Sequence, residues 1–165
     1  MTRLAPLLAV ALLLPGCGLR PLYGGTESAA RTILSGVQVA PIEGQSGWLV
    51  TTALRDRLAS VDAAAPRYRL DVRLDDKIAG LGVRRDDSIT RERRSLRARY
   101  QLVDLGTGAV VLDATAGSDA GIDVVQSEYA TIAAEQTALE RLSGIVADQI
   151  VARVALYARR SEGAK

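Results

Sequence analysis

The stretch Tyr68-Arg69-Leu70-Asp71-Val72-Arg73-Leu74-Asp75-Asp76-Lys77-Ile78 decides the fold. In an extended chain Tyr68, Leu70, Val72 and Leu74 fall on one side, and Arg69, Asp71, Arg73 and Asp75 on the other. A period of two with one apolar and one charged face is the mark of a strand in a sheet covered on one side only, the usual antiparallel arrangement. The residues downstream repeat it. From Ser88 to Asp104, Leu96, Ala98, Tyr100 and Leu102 share one face, and Arg91, Arg93, Arg97, Arg99 and Gln101 share the other. Gly106-Thr107-Gly108 then reads as a hairpin turn. Val110 to Gly117 returns as a strand with Val110, Leu112, Ala114 and Ala116 inward, before a flexible stretch from Gly117 to Gly121.

The segments on either side supply the cover. Val37 to Ile42 alternates loosely as a short strand, and Gly44 to Gly47 reads as a turn. Trp48 to Ser60 follows as a helix, with Val50, Leu54, Leu58 and Val61 at helical spacing and Ser46 placed to cap its start. Ala63-Ala64-Ala65-Pro66 ends it. From Gln126 to Arg159 only Gly144 interrupts a run in which Tyr129, Ile132, Leu139, Leu142, Val146, Ile150, Val154 and Tyr157 keep near-helical spacing. Such a helix is about 50 Å long, longer than the sheet is wide, so its last turns are expected to project. The order is β-α-β-β-β-α. It predicts a two-layer α+β sandwich, with a four-stranded, mostly antiparallel sheet and both helices packed on one face.

Composition bounds the chemistry. The 165 residues are 48% apolar, with 21 basic and 19 acidic side chains, so one domain with a real core is expected and net charge selects no partner. There is no Phe, and the core must be built from aliphatics and alanine. There is no His and one Cys, which excludes internal disulfides, CxxC metal sites and the usual proton shuttle. Ser127 and Ser143 have no His to activate them and no GxSxG around them. Glu135, Glu140 and Asp148 share no evident cleft. No catalytic residue, metal site or cofactor is expected.

The single Cys stands in an informative place. Met1-Thr2-Arg3, the apolar run Leu4 to Leu14 and then Pro15-Gly16-Cys17 have the layout of a secretory signal. The run of about eleven residues is short of the roughly 20 that span a bilayer. Leu14-Pro15-Gly16-Cys17 resembles the bacterial lipobox, with Pro15 where Ala, Ser or Thr is commoner. The alternative is an ordinary signal peptide with a stray thiol. Residues 1–16 are read as the cleaved signal, 17–36 as a lipidated Cys17 and a Gly-, Ser- and Thr-rich tether, 37–160 as the domain and 161–165 as a tail. Acylation would anchor the chain to a membrane through several lipid chains. Gly18, in place of an Asp, suits the outer membrane.

With these residues in view the sequence resembles the alphaproteobacterial lipopolysaccharide-assembly lipoproteins, the small partner of the outer-membrane lipopolysaccharide translocon. The carriers are Cys17-Gly18-Leu19-Arg20-Pro21-Leu22-Tyr23, Tyr68 to Val72, Ala98 to Asp104 with its Gly-Thr-Gly turn, and Ser127-Glu128-Tyr129-Ala130 opening the long helix. Ile122-Asp123-Val124 departs from the family pattern, which carries an aromatic and Asn before the Val. The resemblance implies two helices against a four-stranded sheet. It also implies a plug inside a large β-barrel, which the protein helps to assemble, and contact with lipopolysaccharide on its way to the surface. The domain would then sit in the periplasm or the barrel lumen. A second function fits cleavage, acylation and a small α+β domain equally: a periplasmic auxiliary lipoprotein of a phospholipid-transport system.

One charged constellation merits a hypothesis. Arg84, Arg85, Arg91, Arg93, Arg94, Arg97 and Arg99 fall within about one hairpin, and Arg91, Arg93, Arg97 and Arg99 share its outward face. Arginine forks take phosphate in a bidentate manner, so these four are the expected contacts to lipopolysaccharide phosphate or to acidic groups of the barrel lumen. The competing reading is a solvated face paired with Asp71, Asp75 and Glu92. Nucleic acid is not an expected partner, because the chain is read as secreted and no aromatics are interleaved for stacking. Trp48 is expected as an anchor in the core, the alternative being an anchor at an interface with a partner.

Overall fold

The computed structural model describes residues 33–58, 65–83 and 89–163. Signal, Cys17, most of the tether, Arg84 and Arg85 lie outside the described residues. The elements are β1 (Val37–Val39), α1 (Gly44–Leu58), β2 (Tyr68–Val83), β3 (Ile89–Asp104), β4 (Val110–Asp123) and α2 (Glu128–Gly163). One sheet runs β1-β2-β3-β4. β1 pairs in parallel with β2, as a strand reached through a helical crossover does, and the other two pairs are antiparallel. This is the expected α+β sandwich with both helices over one face.

The alternation read in the sequence is what sorts the two faces. Leu70, Val72, Leu96, Ala98, Tyr100, Leu102, Ala116, Ala120 and Ile122 turn inward. They meet Val50 and Leu54 of α1, and Leu139, Leu142, Val146, Ile150 and Val154 of α2. In the absence of Phe the space is filled by close approach. Ala138, Ala147, Ala155 and Ala158 of α2 are buried along with Ala98, Ala116 and Ala120 of the sheet. Burial raises the Tyr100 hydroxyl above its ordinary pKa. Leu34, from the segment read as tether, is also buried in this core.

Local chemistry sets the boundaries. Ser127 caps α2, its Oγ accepting from Ala130 N at 3.4 Å, and Glu128 sits favourably in the first turn. The β3–β4 turn is held by Asp104, whose Oδ1 accepts from Gly106 N and Thr107 N, and by Gly108 at φ 72°. α1 begins at Gly44, four residues before the expected start, so Ser46 lies inside the helix. Gly47 is why it fits: a Cβ there would stand 2.5 Å from the Ile42 carbonyl oxygen.

Several other expectations are corrected. β4 continues through the segment read as flexible, because Ala116, Ala120 and Ile122 keep the inward period and are covered by α2. Val110, expected inward, is exposed. Trp48 is 65% exposed rather than in the core, since Gly47, Val50, Thr51 and Leu54 occupy the buried side of α1. The first turns of α2 overhang instead of the last. Tyr129 is 83% and Ile132 56% exposed, while Ala155 and Ala158 are fully buried.

The two helices run parallel and are clamped at both ends. Gln45 Nε2 donates to Gln136 Oε1 at 2.8 Å. Arg57 donates to Asp148 through Nε at 2.6 Å and Nη2 at 2.9 Å, to the Gly144 carbonyl at 3.1 Å and to the Ala53 carbonyl at 2.8 Å. The hydrogen bond from Arg57 holds the Asp148 carboxyl below its ordinary pKa, and Asp148 raises that of Arg57. Replacing Arg57 by Ala is expected to cost about 1–2 kcal/mol in denaturant unfolding. The sign with pH follows from the depressed folded-state value of Asp148. Its contribution is full above the unfolded carboxylate pKa of about 4 and is lost as pH falls through the lower folded value. The stability gap between the parent and Asp148→Asn should therefore be constant from neutral pH to about pH 5 and close in stronger acid.

Candidate functional site: the arginine face of the sheet

The face of the sheet turned away from the helices carries the charge. Register fixes its members, since Arg91, Arg93, Arg97 and Arg99 of β3 stand opposite Leu81, Ala79, Asp75 and Arg73 of β2. On the other side they stand opposite Asp123, Gly121, Gly117 and Thr115 of β4. All four arginines predicted from the sequence share this face and are exposed.

Their counter-charges differ from those expected. They come from β4 rather than from Asp71, Asp75 and Glu92. Arg91 Nε meets Asp123 at 3.0 Å. Arg97 Nη2 meets both oxygens of Asp119, at 2.7 and 3.0 Å, and its Nη1 donates to the Ser118 carbonyl. Arg99 meets Asp113 through Nε and Nη2, and Gln101 donates to the same carboxylate. Asp71 and Asp75 serve their own strand, holding Arg69 and Lys77. Hydrogen bonds from Ser95 and Arg97 lower the pKa of Asp119, and those from Arg99 and Gln101 lower that of Asp113. Arg93 has no paired carboxylate among the described residues, although its charge acts on Asp119.

Gly117 is what lets Arg97 lie flat. A Cβ at Gly117 would stand 2.5 Å from Arg97 Cδ, so any side chain there would lift the guanidinium off Asp119. The same glycine is gripped from the helix layer: its N donates to Gln149 Oε1 at 2.9 Å, and Gln149 Nε2 donates to its carbonyl at 3.3 Å.

Arg94 and Glu92 point the other way, toward the helices. Arg94 forms a two-point ion pair with Asp76, at 2.9 and 2.7 Å, and its Nη1 donates to the Glu135 carbonyl of α2 at 3.0 Å. The two side chains are only 12% and 19% exposed. Glu92 Oε2 is buried with no hydrogen-bond partner among the described residues. The sequence reading missed this inner polar group, yet a signal was present. Asp75-Asp76 and Arg93-Arg94 are adjacent like charges, and a period of two sends one of each pair to the core side.

Among the described residues no three side chains are grouped to hold a metal ion, and no helix is long and apolar enough to cross a membrane. The paired arginine face is suited to contact with anions and with charged protein surfaces.

Fold and face together define a small α+β sandwich of the kind found in several Gram-negative lipoproteins. A candidate lipoprotein of Caulobacter crescentus superposes with a TM-score of 0.66 at 24% identity, over 78% of this chain and 95% of that one. The rare lipoprotein B of Shewanella oneidensis gives 0.59 at 12% identity, over 76% and 99%. A minor lipoprotein of Acinetobacter baumannii gives 0.58 at 15%, over 74% and 94%. No curated protein matches the sequence. Residues 34–154 match the lipopolysaccharide-assembly family LptE, and the chain belongs to that family of non-enzymatic lipoproteins.

Proposed function

We propose that the protein is an outer-membrane lipoprotein, anchored through Cys17, that plugs the β-barrel of the lipopolysaccharide translocon and supports its assembly. In this reading it assists transport of lipopolysaccharide to the cell surface. The family match over residues 34–154 carries the proposal. The Leu14-Pro15-Gly16-Cys17 lipobox and the tether that follows it support the anchoring. The arginine face supports the contact. Arg91, Arg97 and Arg99 are half or more exposed, and their ion pairs lie in water, where such pairs are weak. A phosphate group of lipopolysaccharide, or a carboxylate of a barrel wall, therefore competes for the same donors at little cost.

The deciding experiment is extraction of the acylated, C-terminally tagged protein from outer membranes in mild detergent, with mass spectrometry of what comes with it. A stoichiometric translocon barrel is the expected companion. Recovery of inner-membrane phospholipid-transport subunits, or of no companion, would overturn the reading. Joint replacement of Arg91, Arg93, Arg97 and Arg99 by Gln is expected to weaken lipopolysaccharide binding and barrel association by more than about tenfold at moderate salt. Unchanged binding would remove this face from the contact surface.

A further inference from the structure

We infer that Arg73 and Arg99 together form a binding site for a phosphate group on the outer face of the sheet. This rests on the reading of that face as a contact surface, and it adds a residue, Arg73, from the neighbouring strand.

The observation is a gap in an otherwise regular pattern of charge. Across the outer face Arg69, Lys77, Arg91, Arg97 and Arg99 each hold a carboxylate, and Arg93 acts on Asp119. Arg73 has no hydrogen bond or ion pair among the described residues, although Asp71 and Asp75 flank it on the same face. Its position makes this costly. Arg73 stands directly opposite Arg99 in the β2–β3 register, and like charges so placed repel. The nearest acids are already committed, Asp71 to Arg69 through two hydrogen bonds and Asp113 to Arg99 and Gln101.

The surroundings have the shape for a ligand. Asp71, Arg73, Arg99 and Gln101 line a recess of about 330 Å³, and a second groove of about 700 Å³ shares Arg73 and Arg99. Arg99 gives Nε and Nη2 to Asp113, which leaves Nη1 to donate outward, while every donor of Arg73 is available. Two guanidinium groups facing one recess favour phosphate over a carboxylate. A single fork engages both oxygens of a carboxylate, whereas a tetrahedral phosphate has oxygens left for the second fork. A bound phosphate also cancels the repulsion between the two arginines.

The test uses the folded chain with its arginine Nε–H signals followed by NMR. Inorganic phosphate is titrated against chloride of equal ionic strength. Binding to vesicles of phosphatidylcholine, with and without phosphatidic acid, is measured in parallel. Arg73→Gln is compared with Lys77→Gln, which removes one positive charge from the same face outside the proposed contact residues. The expected result is that Arg73→Gln weakens phosphate binding, phosphatidic-acid binding or both by about tenfold or more, while Lys77→Gln changes them by less than about threefold. Loss of phosphate binding assigns the site to the free anion as well as the headgroup, and loss confined to vesicles assigns it to the lipid-borne group. Equal effects of the two variants, or none, would overturn the inference and leave only diffuse attraction. The barrel pull-down is run on the same Arg73→Gln protein. A barrel retained without phosphate selectivity sinks this site alone. Selective phosphate binding without a barrel sinks the plug reading alone.

Discussion

Replacing Asp76 by Ala should destabilise the domain by about 3–5 kcal/mol, the cost of stranding a buried charge. Arg94 would keep its guanidinium between sheet and helix with only the Glu135 carbonyl to accept from it. The double replacement of Asp76 by Leu and Arg94 by Met should recover much of the loss, because a well-packed apolar pair often equals a buried ion pair. Denaturant unfolding of the three proteins measures this. Asp75→Ala, which removes a carboxylate one residue away on the wet face, should change stability by no more than a few tenths of a kcal/mol. If Asp76→Ala proved as mild as Asp75→Ala, Arg94 would have to reach water, contrary to its 12% exposure.

Leu142→Ala is expected to cost about 2–5 kcal/mol. Leu142 is fully buried, with the equally buried Leu139 and Val146 one turn away on α2. A close-packed core relaxes only partly around the cavity that such a truncation leaves. Ile132→Ala, on the same helix and also aliphatic, should cost well under about 1 kcal/mol because its side chain stands over the end of the domain in water. Thermal or denaturant midpoints of the two variants test the overhang directly. Equal losses would mean that the first turns of α2 are packed.

Much of this was legible in the residues, and what was not has identifiable physical causes. β2 and β3 declared themselves because their alternation is charged against apolar, and that contrast survives any tertiary context. β4 was cut short because Gly117 and Gly121 carry the local signature of a loop. Their strand conformation is imposed from outside, by Arg97 lying across one glycine and by α2 covering the alanines beside it. Trp48 was assigned to the core on its chemistry alone, yet the glycine before it, not the indole, marks the buried side of α1. Helical spacing in α2 located the buried stripe correctly but not its extent, since the sequence does not say how far the sheet reaches beneath it. At the candidate site, the outward direction of Arg91, Arg93, Arg97 and Arg99 followed from period alone. Their partners did not, because Asp113, Asp119 and Asp123 become neighbours only through the β3–β4 register.

The hydrogen bonds from Gln149 to Gly117 have a consequence for how the molecule keeps to itself. β4 is the last strand of the sheet, and fourteen residues of backbone are a ready template for a stray chain. By seating one carboxamide on both groups of the central glycine, α2 divides that rim into two short halves. A strand adding itself alongside would have to displace the amide or end after a few pairs. The helix that supplies much of the core thereby also guards against polymerisation.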